Sequence, residues 1–254
     1  MVQIGTEELR EIQMRILDYV DAFCRVNDIK YSLSGGSLLG AVRHGGFIPW
    51  DDDIDIQMLR SDYDKFTELW NKQEDHQCYE LVSIESNNNL GYPFGKIHNI
   101  DTITYVGRFK RTGVFIDIFP LDKVISDEDF KERRRIIRGL YSKRKYVFAF
   151  LKIIPFSSIA RFVFNRIAVR INEEAKKMNN CEGEHVFEMT SGLICKNPIP
   201  LSVFDSYVDL KFENRNYMAV KDFDTYLSCT FGDYMTLPPE EKRVSHHEFL
   251  AYWL

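Results

Sequence analysis

Residues 31–56 read YSLSGGSLLGAVRHGGFIPWDDDIDI, a glycine-serine turn followed 16 residues later by acids that alternate with isoleucines. A strand turns successive side chains to opposite faces. The alternation therefore predicts a strand over 47–58 with Asp51, Asp53 and Asp55 on one face and Ile54 and Ile56 on the other. Same-face carboxylates then lie about 7 Å apart, and at an effective dielectric near 20 each pair repels by about 2 kcal/mol. A divalent metal is the simplest partner for such a row, because hard cations take carboxylate oxygens.

Two other readings compete. An acidic, solvent-facing sheet edge would also carry such residues, but Phe47, Ile48, Trp50, Ile54 and Ile56 give the segment a face to bury. A calcium loop would use Asp51, Asp53 and Asp55 at positions 1, 3 and 5. It would then require glycine where Ile56 stands and glutamate where Asp62 stands.

The upstream turn supplies a second half to the site. Gly35 and Gly36 let backbone approach a ligand closely, and a helix beginning at Ser37 would offer unpaired N–H groups to an anion. Ser37 as a simple helix N-cap is the alternative. Asp117 is a third piece, one acid inside the apolar run VFIDIF. An acid so placed is either paired, metal-bound or turned to solvent. If its strand neighbours the aspartate strand, three carboxylates converge, as two-metal phosphoryl transfer requires.

Apolar residues at helical spacing predict a helix over 6–27 (Leu9, Ile12, Ile16, Leu17, Val20, Phe23) and another over 61–73. Further strands are expected over 29–34, 79–85, 94–99, 102–106 and 113–120, with a short helix over 37–44. Helices broken near Pro155 fill 127–177, and a helical tail follows Pro238-Pro239. These elements give an α+β fold, a mixed sheet with flanking helices over 1–254 as one domain, with a helical insertion over 127–180.

Charge is uneven. Residues 131–177 hold 14 Lys/Arg against 3 Asp/Glu in a chain whose net charge is −5. The overall balance argues against nucleic-acid binding. The basic segment interleaves cations with aromatics and aliphatics, as membrane-surface helices do; a helical subdomain showing its cations to water reads equally well, and so does a site gathering a polyanionic acceptor or the donor. Five scattered cysteines, an acidic start and the lack of an 18-residue apolar stretch point to a reducing, cytoplasmic setting, with peripheral contact to the inner membrane face left open. Cys181, His185 and Cys195 do not have the spacing of a zinc site, and His246-His247 are equally unspecific.

The runs SGGSLLGAVRHGGFIPWDDDIDI, GVFIDIFPLD and FGDYMTLPPEEKR, in that order, resemble the LicD family, which includes bacterial phosphocholine transferases and, more distantly, fukutin and fukutin-related protein. The resemblance implies a nucleotidyltransferase-like core in which Asp53 and Asp55 bind Mg²⁺ or Mn²⁺ and Asp117 is the third carboxylate. It further implies a CDP-activated alcohol such as CDP-choline as donor, a hydroxyl of a cell-surface glycan such as lipopolysaccharide, or of its lipid-linked precursor, as acceptor, and CMP as product. Gly35, Gly36 and Ser37 are then expected at the diphosphate, with Arg43, His44 and Lys96 as cationic supports. Nucleotidyl transfer and a non-enzymatic, metal-binding scaffold at a membrane surface are the alternatives. Trp50 could stack on the base or belong to the core.

Overall fold

A computed structural model describes the chain except for residues 87–90, 107–108, 111, 152–156, 192–196 and 244–249. The expected break near Pro155, and Cys195, His246 and His247, fall outside the described residues.

In chain order the strands are β1 Val2–Ile4, β2 Ser32–Leu33, β3 Asp55–Leu59, β4 Tyr79–Val82, β5 Gly95–Asn99, β6 Thr102–Val106, β7 Phe109–Lys110, β8 Phe115–Val124, β9 His185–Glu188, β10 Ile199–Pro200, β11 Tyr207–Phe212, β12 Arg215–Val220 and β13 Leu250–Trp253. The helices are α1 Thr6–Val26, α2 Gly35–His44, α3 Arg60–Lys72, α4 Asp127–Leu151, α5 Ser157–Lys176 and α6 Phe223–Phe231. The fold is α+β, with its sites set by a seven-stranded mixed sheet.

The apolar stripe of α1 buries Leu9, Ile12, Ile16, Leu17, Val20 and Phe23 as its spacing predicts. The same stripe buries Gln13, a polar residue whose role emerges at the site.

Strand β8 organises the main sheet. One edge pairs in parallel with β3, Asp55 opposite Asp117 through Leu59 opposite Leu121. Its other edge is shared: β5 covers Phe115 to Ile118, and β9 covers Leu121 to Val124. Asp117 N–H donates to Ile54 O on the β3 side, so alternate residues donate to the opposite side. Pro120, which has no N–H, falls in the gap between β5 and β9 on that side, where proline costs no ladder bond. That placement lets β8 run on to Val124, past the expected end at Pro120.

Other expectations need correction. The aspartate strand does not span 47–58; β3 begins only at Asp55. A turn closed by Asp51 N–H to Ile48 O (2.9 Å) precedes it, so Asp51 and Asp53 sit on a loop rather than on a common strand face. Helix α2 starts at Gly35, two residues before Ser37, which is inside the helix and not its cap. The strand expected over 29–34 shrinks to Ser32–Leu33. Where a helical tail is expected, Glu240–Lys242 form one 3-10 turn and Leu250–Trp253 form β13, which pairs with β1 and with β6 to make a second sheet β1-β13-β6-β7.

A buried ionic knot ties helices to the sheet. Arg60 of α3 donates to both carboxylate oxygens of Asp122 on β8 (2.8 and 2.7 Å) and to Asn172 Oδ1 of α5 (3.1 Å). Arg133 of α4 donates to Ala175 O at 3.0 Å and to Asp129 Oδ2 at 2.6 Å. Bidentate pairs of this kind hold angle as well as distance, so α3, α4 and α5 are fixed relative to the strand that carries Asp117.

Candidate active site

Three strands bring Asp55, Asp117 and Lys96 into one row. Asp55 is the register partner of Asp117, and Asp117 that of Lys96. Register partners project to the same face of a sheet. The Lys96 ammonium is ion-paired with Asp117 Oδ1. It lies 3.6, 5.0 and 5.5 Å from the ring centroids of Phe115, Tyr92 and Phe94. Burial pushes the Asp55 carboxyl well above the ordinary carboxylate range; the charges of Asp53, Asp117 and Asp51 push the same way, and Lys96 opposes them.

Asp51, Asp52 and Asp53 approach from the loop before β3, with carboxylate oxygens within 4.8 Å of one another. At that spacing each charge pair repels by about 3 kcal/mol at a dielectric near 20. Helix α1 holds the loop in place. Arg10 Nη2 donates to the carbonyls of Ile48 (3.2 Å), Pro49 (3.2 Å) and Asp51 (2.6 Å). Gln13 Nε2 donates to Asp52 O at 2.9 Å and to Phe115 O at 3.4 Å, bridging the loop to β8.

Helix α2 closes the other side. A Cβ on Gly36 would overlap Asp51 Oδ2, so glycine lets that carboxylate rest against the first turn, where unpaired N–H groups and the positive dipole end favour an anion. Ser37 Oγ accepts the Asp55 N–H at 2.9 Å and fixes the start of β3. Gly35 adopts φ +49°, a conformation that glycine enters without strain. Its N–H donates to the buried Tyr226 hydroxyl of α6 at 3.2 Å, which also lies 3.1 Å from Ser34 Oγ.

The donor set is hard oxygen, and Asp55 lies in a field of three carboxylates against one ammonium. That chemistry fits Mg²⁺ or Mn²⁺, which favour carboxylate oxygen.

A family model described as LicD/FKTN/FKRP, nucleotidyltransferase domain, matches residues 28–166. The lipopolysaccharide cholinephosphotransferase LicD of Haemophilus influenzae is 31% identical over the full length of both chains. The chain belongs to the LicD family. Shorter likenesses accompany this one. The human ribitol 5-phosphate transferase FKRP is 48% identical over 44 residues, covering 17% of this chain and 9% of that protein. An uncharacterized protein of Rickettsia typhi is 51% identical over 43 residues, 17% of this chain and 14% of that one.

In this LicD-family protein the sequence-expected residues fall into two groups. Asp55, Asp117 and Lys96 share one row, the Asp53 charge acts on Asp55, Ser37 bonds the Asp55 N–H, Gly36 lies against Asp51, and Gly35 meets Tyr226. The carboxylates whose oxygens lie within 4.8 Å of one another are those of Asp51, Asp52 and Asp53. Arg43 and His44 stand at the far end of α2, about 10 Å along the helix from Gly36. Arg43 Nη1 donates to Tyr234 O at 2.7 Å, and exposed His44 meets Trp50 edge-on at 6.1 Å. Trp50 is partly buried, with the Arg243 guanidinium 5.6 Å from its ring.

Sequence reasoning missed Arg10, Gln13 and Tyr226. Gln13 did leave a signal, since it interrupts an apolar stripe at a buried position. Tyr226 left none, because nothing in FDTYLSC marks its hydroxyl for a loop nearly two hundred residues upstream.

Proposed function

We propose that the protein is a divalent-metal-dependent phosphotransferase that moves phosphocholine or a related phospho-alcohol from a CDP-activated donor to a hydroxyl of a cell-surface glycan or its lipid-linked precursor. Family membership and the name of the full-length Haemophilus relative support phospho-alcohol transfer. The single observation that carries the metal-assisted reading is the row Asp55–Asp117–Lys96 together with the Asp51–Asp52–Asp53 cluster, whose Asp53 and Asp51 charges act on Asp55.

Asp53, Asp55 and Asp117 would hold Mg²⁺ or Mn²⁺, with Asp51 and Asp52 adjoining. When bound, the ion neutralises phosphate charge and polarises the attacking oxygen. The remaining roles belong to the chain. The acceptor oxygen attacks the phosphorus distal to cytidine, the bond from that phosphorus to the bridging oxygen breaks, and CMP leaves with the electron pair. Asp117 receives the acceptor's proton. Lys96, held among three rings, fixes the charge and position of Asp117. The N–H groups of Gly36 and Ser37 face the donor's diphosphate, and Ser37 holds Asp55 in place through its backbone. We place this reaction on the cytoplasmic side, in keeping with the free thiols of Cys24, Cys78, Cys181 and Cys229; among the described residues no helix is long and apolar enough to cross a membrane.

Incubation with Mg²⁺, a panel of CDP-alcohols and a glycan acceptor tests this reading. CMP and a phospho-alcohol-modified acceptor are expected. A cytidylylated acceptor with free phospho-alcohol would establish nucleotidyl transfer instead. No turnover with any donor, and an unimpaired cellular role in Asp53→Ala, would establish a scaffold.

A further inference from the structure

Helices α4 and α5 pack against each other and turn an apolar side inward, burying Phe130, Ile137, Ala168, Ile171 and Ala175. At 100° per residue, the opposite side of α4 presents Lys131, Arg135, Arg138, Ser142, Lys145 and Tyr146 within one sector of about 100°, and all six are exposed. On α5 the exposed Phe162, Arg166 and Arg170 recur at four-residue spacing. Arg135 and Arg170 pair with Glu132 and Glu173. Among the described residues Lys131, Arg138, Lys145 and Arg166 form no ion pair.

Two large rings stand out in water here: Tyr146 is 77% exposed and Phe162 66%. Tyr146 lies near the end of α4 and Phe162 near the start of α5. The Arg144 guanidinium lies 5.5 Å from the Phe164 ring and so joins those two ends. It also lies 5.7 Å from Tyr92, whose ring is 5.0 Å from the Lys96 ammonium. The aromatic end of the helix pair therefore adjoins the catalytic row.

We infer that this face of α4 and α5 docks on an anionic bilayer, holding the active site beside an acceptor carried by lipid. Exposed cations flanking exposed aromatic rings match the headgroup region, where anionic lipid attracts Lys and Arg and amphipathic rings settle at the interface. A dissolved polyanion would use the cations and leave Tyr146 and Phe162 unexplained. Docking is a property apart from the donor chemistry, and vesicle binding is read without turnover, so its failure would leave the proposed reaction standing.

The test is co-sedimentation of the full chain with vesicles of phosphatidylglycerol and phosphatidylcholine in equal parts, against phosphatidylcholine alone. Binding to the anionic vesicles is expected to exceed binding to the neutral ones by at least about tenfold and to weaken with salt. Each lost cation reduces it roughly fivefold, so Arg138→Glu with Lys145→Glu removes most of it. Tyr146→Ser with Phe162→Ser lowers it about tenfold while the salt dependence stays. Release of CMP from soluble donor should be unchanged in these variants. Wild-type protein that ignores anionic vesicles overturns the inference. So does binding that soluble heparin abolishes and that the aromatic substitutions leave untouched, which would mark a polyanion site. Should a variant fail to fold, the wild-type comparison across lipid and salt decides alone.

Discussion

Gly36→Ala separates the architecture of the acidic site from the stability of the fold. The new methyl group would occupy the position of Asp51 Oδ2, so the carboxylate must swing away from the first turn of α2. Two effects on stability oppose each other. Alanine in place of a helical glycine gains up to about 1 kcal/mol. Losing an anion from a helix N-terminus costs about 0.3–2 kcal/mol. The net change is then about 1 kcal/mol or less, which for a chain of this size shifts Tm by roughly 2–4 °C. Metal binding has no such compensation. Asp51 adjoins the proposed ligand Asp53, their carboxylate oxygens lying within 4.8 Å, and withdrawing such a neighbour should weaken Mn²⁺ binding by about 10- to 100-fold. Titration followed by the electron paramagnetic signal of free Mn²⁺ measures that affinity, and differential scanning fluorimetry measures Tm. Asp51→Ala should reproduce the metal defect, and the double variant should be no worse than either alone, since both act through one carboxylate. Wild-type Mn²⁺ affinity in Gly36→Ala, within about twofold, would refute the reasoning. A fall in Tm beyond about 10 °C would make Gly36 a packing residue instead.

Asp117→Asn should reduce transfer by about 10²–10⁴-fold and destabilise the fold by about 3–5 kcal/mol, because it strands the buried Lys96 ammonium; adding Lys96→Met should restore part of the stability but none of the activity, as chemical denaturation and CMP release would reveal. His98 is held neutral: its Nδ1 accepts the Gly113 N–H at 3.1 Å, and burial lowers its pKa although the nearby Glu80 carboxylate opposes the shift. A depressed folded-state pKa gives stability that is present above the unfolded value of about 6.5 and lost as pH falls below it. Thermal melts between about pH 7.5 and pH 5 should therefore show a smaller drop for His98→Gln than for the parent; an identical drop would remove His98 from the account. Tyr226→Phe deletes the hydroxyl that accepts the Gly35 N–H. It should cost about 1–3 kcal/mol and lower kcat with little change in the expression or far-ultraviolet spectrum of the protein.

Periodicity made the repetitive parts of the molecule legible. The stripe Leu9–Phe23 specified α1, and the alternation Ile54, Ile56, Met58 specified β3, since both patterns reflect burial on one side of a regular element. Asp117 was legible as an acid that a buried apolar strand would not carry without a partner. The parts that failed depend on distant chain. Asp51, Asp53 and Asp55 fit the alternation of a strand, yet Arg10 and Gln13, about forty residues upstream, bind the carbonyls of Asp51 and Asp52 and hold that part as a loop. Likewise, Leu250–Trp253 becomes a strand because β1 and β6 offer it edges, a pairing between the two ends of the chain that no local window contains. The start of α2 slipped by two residues because two glycines read as a turn when they stood, in fact, in the first turn of the helix.

The gap opposite Pro120 divides one border of the main sheet between two unconnected ribbons. The β4–β5 ribbon supplies Lys96, whereas the β9–β10 ribbon and the helices before it carry none of the acidic centre. The second ribbon meets β8 only beyond Pro120, over Leu121 to Val124, so it borders neither Asp117 nor its partner Asp55 directly.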